Sequence, residues 1–184
     1  MIFCDPIKNI VLTGFRATGK TSVGKALAAQ LGWSFLDADS LLCTRLDADV
    51  AEVVARRGWP FFRQAERQLL QELSAMTNTV LATGGGAIEH QDEWLRLRAC
   101  CFVVWLDADI DTISGRIAAD PASATQRPSL IGGVSARDEI ETLLKQRRPL
   151  YAAGSDLRLD AVGASPPDLA ARIVEAMGRR ATSC

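Results

Sequence analysis

Histidine is almost absent from this chain: His90 stands alone among 184 residues. A Ser-His-Asp or Cys-His relay therefore has only one possible base, and a histidine-rich metal centre has no material. The five cysteines, at positions 4, 43, 100, 101 and 184, include no C-x-x-C pair, so a tetrahedral zinc site is excluded as well. They read as reduced thiols, with Cys100 and Cys101 in a strand. No stretch approaches the roughly 18 apolar residues of a membrane span, and the opening residues M-I-F-C-D-P carry no signal-peptide pattern. A cytoplasmic protein with no membrane partner is expected. An excess of charge of one sign is also missing. The formal net charge is -1 and the pI about 5.9, which supplies no field for nucleic acid. An anionic ligand must then be captured locally. Lysine is scarce too, with Lys8, Lys20, Lys25 and Lys145 the only four among 21 basic residues. The rest are arginines, whose planar fork suits carboxylate and phosphate.

What is present fits one α/β domain spanning residues 1–184. With 48% hydrophobic residues the chain can bury an extended sheet between helices. Short apolar runs at 9–13, 34–37, 79–83, 101–106 and 157–160 alternate with helical patterns near 19–31, 49–57, 61–76, 109–118, 136–151 and 167–178. That alternation predicts a five-stranded parallel sheet with helices on both faces. Asp109, Ser135 and Pro166 are candidate helix starts. Residues 119–133 are small, polar and weakly periodic, which predicts a mobile lid.

The chemistry is named by residues 14–21, G-F-R-A-T-G-K-T, which fit the phosphate-binding loop G-x-x-x-x-G-K-[ST]. The run Ile10, Val11, Leu12 precedes it as a strand, and Val23, Ala26, Leu27 and Leu31 follow at helical spacing. In such a loop backbone N–H groups face one anion, Lys20 reaches the β- and γ-phosphates, and the Thr21 hydroxyl ligates Mg2+. Gly14 and Gly19 supply the permissive backbone.

Ligands of open parallel sheets sit beyond the carboxyl ends of the strands. Three further strand ends carry candidates. At 35–39, F-L-D-A-D, Asp37 and Asp39 either start a helix or serve Mg2+ and a hydroxyl nucleophile. After the third strand, Gly84, Gly85 and Gly86 make either a plain tight turn or a close approach of backbone to ligand. After the fourth, Asp107 could ligate, while Asp109 reads as a helix cap. Two arginine settings remain. Arg63 lies three residues before Glu66 and could form only a surface pair. Arg147, in K-Q-R-R-P-L-Y at 145–151, could be only a basic helix terminus. A small anionic acceptor, however, needs arginines from distant segments.

Taken together, these pieces resemble the shikimate kinase family. They are residues 14–24, 35–39, 58–66 (G-W-P-F-F-R-Q-A-E), 83–86 (T-G-G-G), Arg127-Pro128 and 147–151 (R-R-P-L-Y), and the resemblance runs nearly the whole length. It implies a nucleoside-monophosphate-kinase-like three-layer fold. The implied activity is ATP-dependent phosphorylation of the 3-hydroxyl of shikimate in aromatic amino-acid biosynthesis. Gly14, Arg16, Ala17, Thr18, Gly19, Lys20, Thr21 and Ser22 would then hold the nucleotide, with Arg116 beside adenine and Arg127 closing over the phosphates from the lid. Thr21 and Asp37 would serve Mg2+. Asp39 would hold the acceptor hydroxyl, Arg63 and Arg147 would grip the shikimate carboxylate, and Gly84, Gly85 and Gly86 would line the acceptor site within a segment near 39–72. Lys20, Asp39 and Arg127 would carry catalysis. A monomer is expected.

Relatives often carry another glycine where Ala17 and Thr18 stand, so the turn here is expected to avoid positive φ. Residues 162–167 lack an arginine that some relatives place near adenine. A gluconate-kinase-like enzyme and a non-catalytic nucleotide-binding module are the competing readings.

Overall fold

The computed structural model describes residues 7–120 and 135–182. Five parallel strands form one sheet: β1 (Asn9–Thr13), β2 (Ser34–Asp37), β3 (Thr79–Ala82), β4 (Cys101–Asp107) and β5 (Leu157–Asp160), in the order β2-β3-β1-β4-β5. Asn9 pairs in register with Thr79 on one side and Cys101 on the other, which makes β1 the centre. All five are the runs read from the sequence, with ends differing by one residue at β3 and β4.

Because successive side chains on a strand point to opposite faces, β1 feeds two cores at once. Val11 joins Leu81, Val103 and Trp105 on one face, while Ile10 and Leu12 join Val80, Phe102 and Val104 on the other. With both faces covered, the central strands are buried along their whole length and apolar apart from Asn9, Thr13, Thr79 and Asp107 near their ends. The second face is closed by α1 (Lys20–Leu31) and by the last helix, which starts at Pro166. The first is closed by α2 (Ala38–Leu46), α3 (Val50–Leu73) and α4 (Gln91–Ala99). A third cluster, built on Phe15, Ile113, Ile140 and Leu144, lies between α5 (Ile110–Ala118) and α6 (Ala136–Gly154). The last helix, α7, runs Pro166–Thr182.

The helix starts have local causes. Asp109 accepts from Thr112 N at 2.6 Å and so caps α5, and Ser135 accepts from Asp138 N at 3.1 Å to cap α6. Asp49 and Glu52 form a reciprocal capping box at the head of α3. The two helices expected at 49–57 and 61–76 are both present within α3, meeting at Gly58, whose φ of 77° and ψ of 166° leave the helical region. The expected break is therefore present as a bend, and Pro60 follows it. The helix start offered at Asp37 and Asp39 is present, with Asp37 capping α2, but the span 38–46 was not among the helical segments read, because it follows a strand too closely to show a period. Cys100 ends α4 and only Cys101 enters a strand, which corrects the expectation for that pair. Of the lid read over 119–133, only Ala119 and Asp120 fall within the described residues, and Arg127 lies outside them.

Between β1 and β2 the chain steps to one side of the centre, and from β3 to β4 it crosses to the other. This reversal opens a crevice at the carboxyl ends of β1, β3 and β4.

Candidate active site

The phosphate loop fills the turn from β1 into α1. Gly14 has φ of 134°, and a Cβ there would overlap the Leu106 carbonyl of β4. Gly19, with φ of 93°, caps α1 in the left-handed region. Ala17 also adopts positive φ, at 62°, contrary to the expectation from its side chain. An alanine pays about 1–2 kcal/mol for that conformation. The loop's neighbours hold it there: Thr18 Oγ1 donates to Phe15 O at 2.8 Å, and Arg116 Nη1 donates to Ala17 O at 3.1 Å. Arg116 Nη2 also donates to Ala161 O at 3.0 Å, tying the loop to the chain after β5. Lys20 folds back so that Nζ donates to Gly14 O at 2.9 Å and Phe15 O at 2.7 Å. Thr21 and Ser22 are exposed on the first turn of α1, where N–H groups and helix dipole favour an anion.

Two oxygen-bearing side chains, Thr21 and Asp37, stand together at the head of α1. Thr21 Oγ1 donates to Asp37 Oδ2 at 2.7 Å, while Asp37 Oδ1 accepts from Ser40 N at 3.2 Å and caps α2. Both readings of Asp37, cap and metal partner, are thus compatible in one side chain. A hydroxyl and a carboxylate suit Mg2+, which keeps several waters and leans on phosphate oxygens. Among the described residues no group of three or more His, Cys, Asp or Glu could hold a metal.

Next to the loop lies a hollow that is partly open to solvent. Its polar lining includes Arg16, Asp39, Arg63, Glu66 and Arg147, together with the Gly84, Gly85 and Gly86 backbone. Phe15, Trp59 and Phe62 supply apolar wall, and Trp59 and Phe62 meet edge to face at 5.8 Å. The guanidinium of Arg63 stands 5.4 Å from the Trp59 ring, and that of Arg147 5.9 Å from Phe15.

Packing explains the triple glycine. A Cβ on Gly84 would lie 2.6 Å from Asp39 Oδ1 and 2.9 Å from Glu66 Oε1, and one on Gly86 would collide with the Arg63 guanidinium. Gly85 brings the turn against the phosphate loop, with Arg16 N and Gly14 O at 3.4 and 3.5 Å from such an atom. Buried Tyr151 fixes the turn by donating its hydroxyl to Gly85 O at 2.5 Å. The glycines thus let the backbone come close to Asp39, Glu66, Arg63 and the phosphate loop.

Both arginines are held by acids. Arg63 Nη1 donates to Glu66 Oε2 at 2.6 Å, and with Glu66 4% exposed the carboxylate is buried and Arg63 half-buried, which is not the surface pair its spacing allowed. Burial pushes the Glu66 carboxyl up, yet the His90 hydrogen bond and the Arg63 charge outweigh it and leave it below the ordinary glutamate range. Arg147 Nε donates to Glu89 Oε1 at 2.8 Å, and Arg63 Nη2 lies 4.0 Å from Glu89 Oε2. Two guanidinium groups from α3 and α6 thus already converge on one carboxylate.

The structure brings Asp39, Arg63, Arg147, Arg16 and the three glycines into one hollow, with Lys20, Thr21 and Asp37 along the adjoining loop. Arg116 sits at the loop's far edge. Sequence reasoning paired Glu66 with Arg63 but missed its burial, and it missed Glu89 as a tether and His90 as a neighbour. Only the position of Glu89, three residues after the glycines, offered a signal. Asp107 does not join the hollow, since it is buried against Arg158 at 2.7 Å.

Comparison with known proteins places this arrangement. The family model described as shikimate kinase matches residues 16–178. The chain is 42% identical over 160 residues to the shikimate kinase of Syntrophus aciditrophicus, covering 83% of this chain and 82% of that one. It is 41% identical over 144 residues to that of Nitratidesulfovibrio vulgaris, covering 78% and 81%. A structure of shikimate kinase from Acinetobacter baumannii in complex with shikimate superposes with a TM-score of 0.87 at 31% identity, covering 95% of this chain and 94% of that one.

Proposed function

This chain belongs to the shikimate kinase family, and from that premise we propose how its residues divide the two halves of the reaction. The protein is a phosphotransferase that moves the γ-phosphoryl group of ATP to the 3-hydroxyl of shikimate, in aromatic amino-acid biosynthesis. Phosphoryl transfer needs alignment and charge neutralisation far more than a covalent nucleophile. A chain with one histidine loses nothing by that.

On the nucleotide side, the loop amides from Gly14 to Gly19 receive the phosphates, with Arg16 and Ser22 at its margins. Lys20 turns its ammonium from the loop carbonyls to the β- and γ-phosphates. Thr21 and Asp37 hold Mg2+, which when bound neutralises charge on the phosphoryl oxygens. Arg116 flanks adenine, and Arg127 closes from a lid over 119–133. On the acceptor side, within about 39–72 and its facing elements, Arg63 and Arg147 grip the shikimate carboxylate. The triple-glycine backbone lies along the ring, and Asp39 holds the 3-hydroxyl and accepts its proton. The observation that carries this reading is the shared hollow: Asp39, Arg63 and Arg147 line it together with Phe15 and Arg16 of the phosphate loop. The two substrates can therefore meet without a long displacement. The enzyme works as a single-domain monomer in the cytoplasm.

Its test is an ADP-release assay across shikimate, gluconate and nucleoside monophosphates with ATP and Mg2+. Turnover is expected with shikimate alone. Turnover with gluconate would favour the sugar-acid kinase reading, and nucleotide binding without any turnover would favour a regulatory module. Gly84→Ala gives a second check. Its methyl would press on Asp39 and Glu66, and kcat/KM for shikimate is expected to fall about 100-fold, as for a misplacement near 1 Å. ATP affinity, measured by titration, should stay within about twofold, because the loop itself is untouched.

A further inference from the structure

The chain's one histidine has a role that the reaction scheme does not yet use. His90 follows the short 3-10 turn Ala87–Glu89 and is 4% exposed, with its imidazole against Glu66. Its Nδ1 accepts from Arg67 Nε at 3.1 Å. An arginine keeps its protons at any working pH, so Nδ1 carries the lone pair and the ring proton is assigned to Nε2. That Nε2 lies 2.8 Å from Glu66 Oε2, the same oxygen that receives Arg63 Nη1 at 2.6 Å. The other oxygen, Oε1, faces Gly84. The backbone of His90 is engaged separately, with N donating to Ala87 O at 3.1 Å and O accepting from Trp94 N at 2.8 Å. A change of side chain therefore leaves the turn and the start of α4 their main-chain bonds.

We propose that His90 is a positioning residue for the acceptor site: fixed by Arg67 as the Nε2–H tautomer, it anchors the Glu66 carboxylate and thereby aims the Arg63 guanidinium into the cavity. Without that donor the buried carboxylate has Arg63 as its remaining charged tether. It can then rotate, and Arg63 moves with it. The effect should fall on the acceptor and spare the nucleotide, since none of these four side chains touches the phosphate loop in the contacts described above. The proposal rests on Arg63 meeting the shikimate carboxylate.

The sole histidine makes the test direct. In tag-free, 15N-labelled full-length protein, the imidazole nitrogens should show protonated Nε2 and unprotonated Nδ1; an Nδ1–H ring or an averaged pair overturns the proposal. In steady-state kinetics, His90→Leu is expected to raise KM for shikimate about tenfold while KM for ATP stays within about twofold. His90→Gln, whose amide offers N–H to Glu66 and C=O to Arg67, should recover most of that loss. A parallel rise in both KM values, or a folded His90→Gln with no recovery, makes the ring merely structural and overturns the proposal. Should His90→Leu not fold, Arg67→Met decides, because Arg67 is exposed: a rise of about threefold in shikimate KM supports the proposal, and an unchanged KM with an unchanged tautomer overturns it. Arg63→Ala separates the layers. If it raises shikimate KM while His90→Leu does not, only the role of His90 fails; if it too has no effect, the acceptor assignment itself fails.

Discussion

Asp39→Asn is expected to lower kcat by about 10²- to 10⁴-fold, the range for a lost general base or its equivalent, while ATP affinity stays within about twofold. The substitution keeps shape and one hydrogen-bond acceptor but removes the charge. Asp39 sits on the first turn of α2, half-buried, with its Oδ1 toward Gly84 on the wall of the acceptor cavity. The nucleotide contacts lie elsewhere, on the loop from Gly14 to Thr21. A carboxylate there acts on the hydroxyl oxygen as it attacks, so its loss appears in the chemical step and not in nucleotide binding. Single-turnover measurement with saturating substrates isolates that step. Equal losses in turnover and in ATP affinity would remove Asp39 from the acceptor oxygen. Asp39→Ala adds a further distinction. If the two variants lose equally, the charge matters; if the alanine is much worse, the oxygen that remains in asparagine still orients the hydroxyl.

What the sequence made legible, and what it hid, follows from the range of the interactions. The strands and the phosphate loop were readable because their causes are local: apolar runs of four to seven residues, and glycines and a lysine at fixed spacing. The caps at Asp109 and Ser135 were readable for the same reason. The span of α2 was hidden because Asp37 ends a strand and caps a helix in one residue, which leaves no gap for a boundary signal. The conformation of Ala17 went the other way from its side chain, since the loop is held by Thr18 and Arg116. Local propensity lost there to tertiary demand. The Arg63–Glu66 pair was legible as a pair, but its burial was not. One of the groups that meets the carboxylate is His90, which lies 24 residues from Glu66 in sequence and reaches it at 2.8 Å from the turn after β3. No periodicity encodes such a contact. The resemblance to a kinase family supplied roles for Asp39, Arg63 and Arg147 that composition and spacing left open. The shared cavity is the independent physical observation that agrees with them.

Arg147→Ala and Arg63→Ala should both weaken shikimate binding, and they should part company in stability. Each guanidinium, if it makes a buried charge-assisted contact to the acceptor carboxylate, is worth about 2–5 kcal/mol on truncation, so shikimate KM should rise about 30-fold or more. The remaining acids decide the rest. Removing Arg147 leaves Glu89, whose side chain is 37% exposed and can turn to water. Removing Arg63 leaves Glu66, whose side chain is 5% exposed, with His90 as its remaining tether. Breaking a buried pair on one side costs about 3–5 kcal/mol, which for a chain of this size corresponds to a fall in Tm on the order of 10 °C. Arg63→Ala should thus be weakened in both binding and melting, and Arg147→Ala mainly in binding. Calorimetry alongside acceptor titration reads both quantities. Matching Tm losses in the two variants would mean that the Glu66 pair is not the buried tether it forms here, and an unchanged shikimate KM in either would release that arginine from the acceptor site.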